Sequence, residues 1–189
     1  MVLTRQLTLD EFLLLPEEGT ALEYERGVIT QKMAPLGWHG LLQGDLYFRF
    51  RTHGHPQVVA EAFSETRVTW ADEGVSYVPD VIAYRIERVP ADPDGLIDNH
   101  LILPPDVAAE IWSPGQALGR QMDRCRWYVA HGVPVSLLVH PDRRTVWTFR
   151  PGAESGALQN DEVVDLGDVF PGLSFTVAEL FGALHRRSG

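Results

Sequence analysis

The chain has 189 residues, of which 44% are hydrophobic, so we expect a single domain over residues 1–189 with a substantial core. Its formal net charge of −10 argues against binding of nucleic acid by phosphate neutralisation alone, although a local basic groove stays compatible with that charge. No apolar run approaches the roughly 20 residues that cross a bilayer and no signal-peptide pattern follows Met1, so the sequence predicts a cytoplasmic protein without a membrane partner.

The first half of the chain predicts two helices and several short strands. The spacing of Thr8 and Glu11 is that of a capping box, which starts a short helix. Gly27 marks the turn of a hairpin, and Leu42 and Leu46 are separated by the four-residue interval of a helix face. Pro79 interrupts the last strand of this half. The predicted elements are a helix over 8–15, a hairpin over 22–33, a helix over 38–52, and strands over 57–63, 66–70 and 76–84.

The second half predicts a strand–helix–strand unit followed by a hairpin. A proline-rich connection over 86–105 leads into the unit, and Gly132 ends its helix. The predicted elements are a strand over 106–112, a helix over 117–131, strands over 133–140, 145–151 and 162–166, and a helix over 176–186. The two strands of such a unit run parallel with a right-handed crossover, and the hairpins add antiparallel strands. We therefore expect a mixed α/β (α+β) fold with a mixed β-sheet core flanked by helices.

Two carboxylates stand inside apolar strands, where an unpaired charge is costly. Glu110 interrupts "VAAEIW", and Asp80 follows a proline in "SYVPDVIAY". A shared metal site would explain both, because Mg²⁺ prefers hard oxygen ligands and combines one or two carboxylates with water and substrate phosphate. The alternative is structural: Pro-Asp often marks a turn, and an interior glutamate can pair with an arginine.

Lysine and cysteine are nearly absent from the chain. Lys32 is the only lysine beside 15 arginines, so a mechanism that needs a catalytic lysine has one candidate or must use a substitute. Cys125 is the only cysteine, which excludes an internal disulfide and a cysteine-rich zinc site.

Four segments together resemble the bacterial Uma-type family of "putative restriction endonucleases". They are "SYVPDVIAY", "AAEIWSPGQ", "DRCRWYVAHGVPVSLLVHPDRRTVWTFRPG" and "DLGDVFPGLSFTVAELF". The resemblance covers about Leu7 to Leu184 and implies the restriction-endonuclease-like PD-(D/E)XK fold. It also implies a metal-dependent nuclease that uses Mg²⁺ or Mn²⁺, with DNA as its partner.

Carried over residue by residue, the resemblance assigns three acidic residues to the site. Asp80 corresponds to the first metal carboxylate and Glu110 to the second. Glu23, in "LEYERG", corresponds to a glutamate that in this fold lies beside the metal or holds its water.

The chain departs from the family pattern at two positions. The PD-(D/E)XK lysine would stand two residues after Glu110, where this sequence has Trp112. In the family this lysine has moved to the following helix, at the position of Arg124, which keeps the charge but cannot exchange a proton near neutral pH. The second departure is His140, where the family often has aspartate.

Four further residues are candidates for substrate binding through the same resemblance. Arg120, Gln121 and Tyr128 share a helix face with Arg124 and would meet a phosphate, the alternative being a solvated helix surface. His39 corresponds to a family histidine near the cleft, although a structural role at a helix start explains it equally well.

Three functional hypotheses follow. The first is a Mg²⁺-dependent endonuclease that hydrolyses phosphodiester bonds in DNA. The second is a weakened or inactive nuclease fold that binds nucleic acid or a protein, which the arginine-for-lysine exchange and the acidic charge favour. The third is a metal-dependent phosphoesterase for a small substrate. A homodimer is compatible with exposed sheet edges, but no residue pattern requires one.

Overall fold

A six-stranded mixed sheet is the centre of this computed structural model, which describes residues 6–16, 19–53 and 59–186. The helices α1 to α4 cover Leu9–Leu13, Gly37–Thr52, Leu118–Ala130 and Val177–Gly182. The strands β1 to β12 cover Leu22–Glu25, Val28–Gln31, Ala60–Ser64, Val68–Trp70, Val75–Tyr77, Val81–Arg85, Val107–Ile111, Val135–His140, Thr145–Arg150, Ala153–Gln159, Val163–Asp165 and Ser174–Thr176.

The strand order of the large sheet is β10-β9-β8-β7-β6-β3. Strands β7 and β8 pair in parallel and are joined by α3, as predicted for the strand–helix–strand unit. The other pairings of this sheet are antiparallel. The predicted mixed sheet flanked by helices is thereby confirmed.

Helices cover both faces of the large sheet. On one face, α2 buries a stripe against alternate residues of β6, β7 and β8, and α4 adds to the same core. The stripe consists of Leu42, Leu46 and Phe50, all fully buried, which confirms the four-residue repeat. On the other face, Tyr128 of α3 packs with Ile82 and with residues of β4 and β5.

The predicted strand over 76–84 is in fact two strands in two sheets. Strand β5 belongs to a four-stranded sheet of order β2-β1-β5-β4, whereas β6 belongs to the large sheet. Pro79 lies between them and has no N–H to donate to a ladder, which separates the two pairings. This break puts Asp80 at the beginning of β6, at the junction of the two sheets.

Two strands were not expected from the sequence, and one predicted strand is only partly described. Strand β10 was missed because its Ala, Gly and Ser residues give little strand signal, and β12 because it has three residues. Of the predicted strand over 57–63, residues 57–58 lie outside the described ranges, and β3 occupies Ala60–Ser64. Within the described ranges, none of the helices combines the length and apolarity needed to span a membrane.

Candidate active site

Asp80 and Glu110 lie close together at one end of the paired strands β6 and β7. Val81 pairs with Ala109, so Asp80 and Glu110 each lie one residue beyond the last position at which the two strands pair. Their proximity is also expressed in the pKa of Glu110, which Asp80 raises. Both side chains are buried, with 2% and 5% of the residue surface exposed. Two positions 30 residues apart in the chain therefore meet because of strand pairing.

The carboxylate of Asp80 is bonded on both oxygens. Lys32 Nζ lies 2.6 Å from Oδ1, while His39 Nε2 lies 3.1 Å from Oδ2. The backbone N–H of Ile111 also donates to Oδ2, at 2.7 Å. Burial alone would raise the pKa of Asp80, but Lys32 and His39 outweigh burial and hold the pKa at about 2. Asp80 is therefore an anion throughout the physiological pH range.

Lys32 reaches Asp80 from the residue after β2, at the end of the first hairpin. Its Nζ donates a second hydrogen bond to the carbonyl oxygen of Val78, at 2.7 Å. The backbone N–H of Lys32 donates to the carbonyl of Ala21, which fixes where the side chain starts. Burial would lower the pKa of Lys32, but Asp80 and Glu110 outweigh burial and raise it. The only lysine of the chain is thus a charged member of this site.

Glu110 has a neutral partner. The hydroxyl of Tyr128 on α3 donates to Glu110 Oε1 at 2.6 Å, and among the described residues Glu110 forms no ion pair. Burial and the nearby Asp80 raise the pKa of Glu110 to about 7, despite Arg124 and Lys32. Burial and Glu110 also raise the pKa of Tyr128, so this hydroxyl keeps its proton. Among the described residues, Glu110 is therefore a buried carboxylate without a cation in contact.

Arg124 and Glu23 form a second buried ion pair beside the first. Arg124 Nη1 lies 2.6 Å from both carboxylate oxygens of Glu23, and the guanidinium stacks 4.1 Å above the centre of the Tyr77 ring. Glu23 also accepts a hydrogen bond from the backbone N–H of Val78, at 3.0 Å. Burial would lower the pKa of Arg124, but Tyr128, Glu110 and Glu23 outweigh it and raise that pKa.

Two comparisons with known proteins found a match. The sequence model of Uma2, described as "Putative restriction endonuclease", matches residues 9–178. The chain belongs to the Uma2 family. A crystal structure from Anabaena variabilis, described as a putative nuclease belonging to DUF820, superposes with a TM-score of 0.88 and 33% sequence identity. The superposition covers 95% of this chain and 99% of that one. A search of functionally curated proteins gave no match.

The Uma2 fold brings most of the sequence-predicted residues to one end of the sheet. Asp80, Glu110 and His39 meet there as described, with Tyr128 bonded to Glu110. Arg124 lies next to them but binds Glu23 directly. Two of the proposed phosphate-binding residues are farther out, because Arg120 is exposed and Gln121 is half-buried, with no hydrogen bond to either carboxylate.

Lys32 is the residue that sequence reasoning placed outside the site. The Uma2 pattern directs attention to the helix position of Arg124, and Lys32 lies in a different segment. Its uniqueness was the available signal, because a chain with one lysine and 15 arginines has a reason to keep that lysine. Only the folding of the hairpin over the start of β6 shows the contact with Asp80.

Trp112 and His140, the two departures from the Uma2 pattern, are in contact with each other. Their rings stack with centroids 4.1 Å apart and an angle of 14°. Burial and the adjacent Arg143 lower the pKa of His140, which favours a neutral ring against the indole. The two departures therefore form one packing unit at the carboxyl ends of β7 and β8.

A cleft of about 370 Å³ lies next to His39. It is lined by Leu36, Gly37, Trp38, His39, Trp112, Ser113, Pro114, Pro141 and Asp142. His39 lines the cleft and also contacts Asp80, so the cleft leads to the site. The other ring nitrogen of His39, Nδ1, is buried and has no hydrogen-bond partner. The cleft therefore adjoins Asp80 through His39.

The donor set fits a divalent ion that keeps part of its water shell. Asp80 and Glu110 supply hard carboxylate oxygens close to each other, and Mg²⁺ is commonly held by one or two carboxylates plus water and phosphate. Among the described residues, no group of three His, Cys, Asp or Glu side chains is arranged to hold a metal. A transition-metal site closed by protein ligands is therefore not the arrangement seen in this part of the chain.

Proposed function

We propose that this protein is a Mg²⁺- or Mn²⁺-dependent endonuclease that hydrolyses phosphodiester bonds in DNA. The observation that carries the proposal is the pairing of β6 with β7, which brings Asp80 and Glu110 close enough for Asp80 to raise the pKa of Glu110. Membership of Uma2 and the similarity to the Anabaena variabilis protein support the same reaction class. The oligomeric state and the cytoplasmic location stay predictions.

In this proposal Asp80 and Glu110 hold the metal. A bound divalent ion would polarise the scissile phosphate and lower the pKa of its water near these carboxylates. Glu110 is suited to the task because burial and Asp80 raise its pKa to about 7, so that an added cation would favour its ionised form. The hydroxyl of Tyr128 orients Glu110 through Oε1 and leaves its other oxygen available.

Three more residues supply charge and position. Lys32 brings a positive charge to the site, which the family pattern assigns to the helix position now held by Arg124. Arg124 is anchored by Glu23 and lies close enough to Glu110 to lower its pKa. Arg124 would stabilise the negative charge that develops on the phosphate during cleavage. His39 connects Asp80 to the cleft through which the substrate would approach.

Nicking of supercoiled plasmid tests the proposal. The protein is stripped of metal and assayed with and without added Mg²⁺ or Mn²⁺, as wild type and as Asp80→Asn and Glu110→Gln. We expect metal-dependent nicking by the wild type and a loss of about 10²-fold or more in each variant, because each change removes a preorganised charged group.

Asp123→Asn is the matched control for these variants. It removes one carboxylate charge from α3, at an exposed side chain that pairs only with Arg126 among the described residues. We expect this variant to nick like the wild type. If the wild type nicks no faster than Asp80→Asn, DNA cleavage is excluded. RNA and a small phosphodiester are then tested in the same assay, and inactivity on all three favours the binding-module alternative.

A further inference from the structure

Asp80 has little room left for another cation. A carboxylate offers about four acceptor positions, and three donors already use the oxygens of Asp80. Of these donors, the backbone N–H of Ile111 is fixed within the sheet and His39 is anchored on α2. Lys32 is the donor with a flexible stem and a full positive charge. Its ammonium therefore lies where a metal bound to Asp80 would compete with it.

We propose that Lys32 is an exchangeable internal cation, which neutralises Asp80 in the metal-free protein and leaves Asp80 when a divalent ion binds. The inference rests on the proposed metal site at Asp80 and Glu110. It gives the chain's only lysine a positioning role that the family pattern does not assign. It also explains how two neighbouring buried carboxylates are accommodated in the absence of metal.

Electrostatics makes simultaneous occupation unfavourable. The Nζ of Lys32 is 2.6 Å from Asp80 Oδ1, so a dication bound to the same carboxylate would lie within a few ångströms of the ammonium. Like charges at that separation repel strongly in a buried site, where water screens them little. The Lys32 and Asp80 side chains are only 15% and 3% exposed. One cation must therefore leave as the other binds.

The geometry permits the exchange without unfolding. The backbone of Lys32 is held by the hydrogen bond from its N–H to Ala21, so only the four-carbon side chain has to rotate. The partial exposure of this side chain gives the ammonium a route to water. By contrast, Arg124 is held by two contacts to Glu23 and by stacking on Tyr77, which makes it the stationary cation of the site.

The consequence is a lower apparent metal affinity. If the metal binds only the form in which Lys32 has left Asp80, the apparent dissociation constant rises by the inverse of that form's population. A form populated at about 10% or less would weaken binding about ten-fold or more. Removing the ammonium while keeping the length of the side chain should recover that factor.

Amine labelling of the wild-type protein tests the exchange directly, because Lys32 is the only lysine. The metal-free protein is acetylated with an N-hydroxysuccinimide ester, with and without Mn²⁺ or Mg²⁺ at matched ionic strength, and peptides are quantified by mass spectrometry. We expect the labelling rate of Lys32 to rise about ten-fold with metal. The chain's N-terminal amine is the internal reference and should not change. An unchanged Lys32 rate at metal concentrations shown by calorimetry to saturate the protein overturns the proposal.

Calorimetry of Mn²⁺ binding to Lys32→Met provides the second test. We expect the dissociation constant to fall about ten-fold relative to the wild type. Arg26→Met is the matched control, because Arg26 lies in the same hairpin and its ion pair with Glu73 is exposed. An equal gain in both variants, no gain in Lys32→Met, or no binding to either the wild type or Lys32→Met overturns the proposal. If Lys32→Met does not fold, the labelling of the wild type decides.

These measurements separate the exchange from the proposed nuclease activity, because no substrate is present. Release of Lys32 by metal together with inactive wild-type protein refutes the cleavage reaction and leaves the exchange standing. Metal-dependent nicking with a protected Lys32 refutes the exchange and leaves the nuclease standing.

Discussion

A buried carboxylate lies near each end of β7, and the two carboxylates differ in whether a cation contacts them. Asp106, just before the strand, is fully buried and accepts hydrogen bonds from the backbone and side chain of Arg85 and from Arg88. Glu110, near the other end, accepts a hydrogen bond from the neutral hydroxyl of Tyr128. Asp106 precedes an apolar run and Glu110 interrupts it, yet within the described ranges only Asp106 has cations in direct contact.

The difference separates a structural acid from a candidate functional one. Asp106 has its charge compensated by two arginines, so it needs no ligand. Glu110 has a pKa raised to about 7 by burial and by Asp80, which indicates that an added cation would stabilise its ionised form. Incomplete compensation of a buried acid is thus a stronger indication of a site than burial itself.

The largest effect on stability should come from removing the Asp106 carboxylate. We expect Asp106→Ala to lower the free energy of unfolding by about 3 kcal/mol, because the buried backbone N–H of Arg85 loses its acceptor and two ion pairs are broken. Urea denaturation measures this, with Asp123→Ala as the exposed control. A loss below about 1 kcal/mol would show that Asp106 contributes little to the fold.

In the absence of metal, Glu110→Gln should raise the free energy of unfolding, whereas Asp106→Ala lowers it. Folding raises the pKa of Glu110 from 4.5 to about 7, so the native state binds more protons than the unfolded state between these values. The contribution of Glu110 to stability is therefore complete below about pH 4.5 and is lost as the pH rises through about 7. We expect the variant to exceed the wild type by on the order of 2 kcal/mol at pH 8 and to match it at pH 4.

Denaturation in EDTA at these two pH values checks the Glu110 prediction. The neighbours Asp80 and Lys32 keep their charge over the interval, since the pKa of Asp80 is about 2 and that of Lys32 is raised. Other titrating groups cancel in the difference between variant and wild type. An identical difference at both pH values would contradict the raised pKa.

Arg124→Lys tests whether the planar shape of the guanidinium contributes to stability in addition to its charge. Lysine keeps the charge opposite Glu23 but loses the planar stacking on Tyr77, so we expect about 1 kcal/mol less stability. That corresponds to a melting temperature lower by about 2–4 °C for a chain of this size. Arg26→Lys, at an exposed pair with Glu73, is the control. Equal melting temperatures of Arg124→Lys and the wild type would show that only the charge of Arg124 contributes to stability. In the plasmid assay we expect Arg124→Lys to retain metal-dependent nicking.

His140→Phe should have the smallest effect on stability, and this effect should appear only below neutral pH. Burial and Arg143 lower the pKa of His140, so the unfolded chain takes up a proton before the native state does. The wild type therefore loses stability as the pH falls below about 6.5. Phenylalanine keeps a ring stacked on Trp112 and removes the titration, so the variant should show a weaker decline between pH 7.5 and 5. Parallel pH profiles of the melting temperature would contradict this prediction.

Most of the fold was accessible from sequence because its patterns are local. The four-residue spacing of Leu42 and Leu46 predicts α2, and the strand–helix–strand order predicts the parallel pairing of β7 and β8. Strand β10 was missed because its small residues give no periodic signal. The split of 76–84 into two sheets was missed because a strand's partner is decided by distant segments.

The sequence by itself determined the mixed fold, the family, and the placement of Asp80 and Glu110 among apolar residues. Tertiary structure alone decided which charges meet: Lys32 reaches Asp80 across 48 positions of the chain, and Arg124 reaches Glu23 across 101. The reason is physical. The periodicity of strands and helices can be recognised from neighbouring residues in the sequence. The compensation of a buried charge depends instead on side chains that only the completed fold brings within a few ångströms.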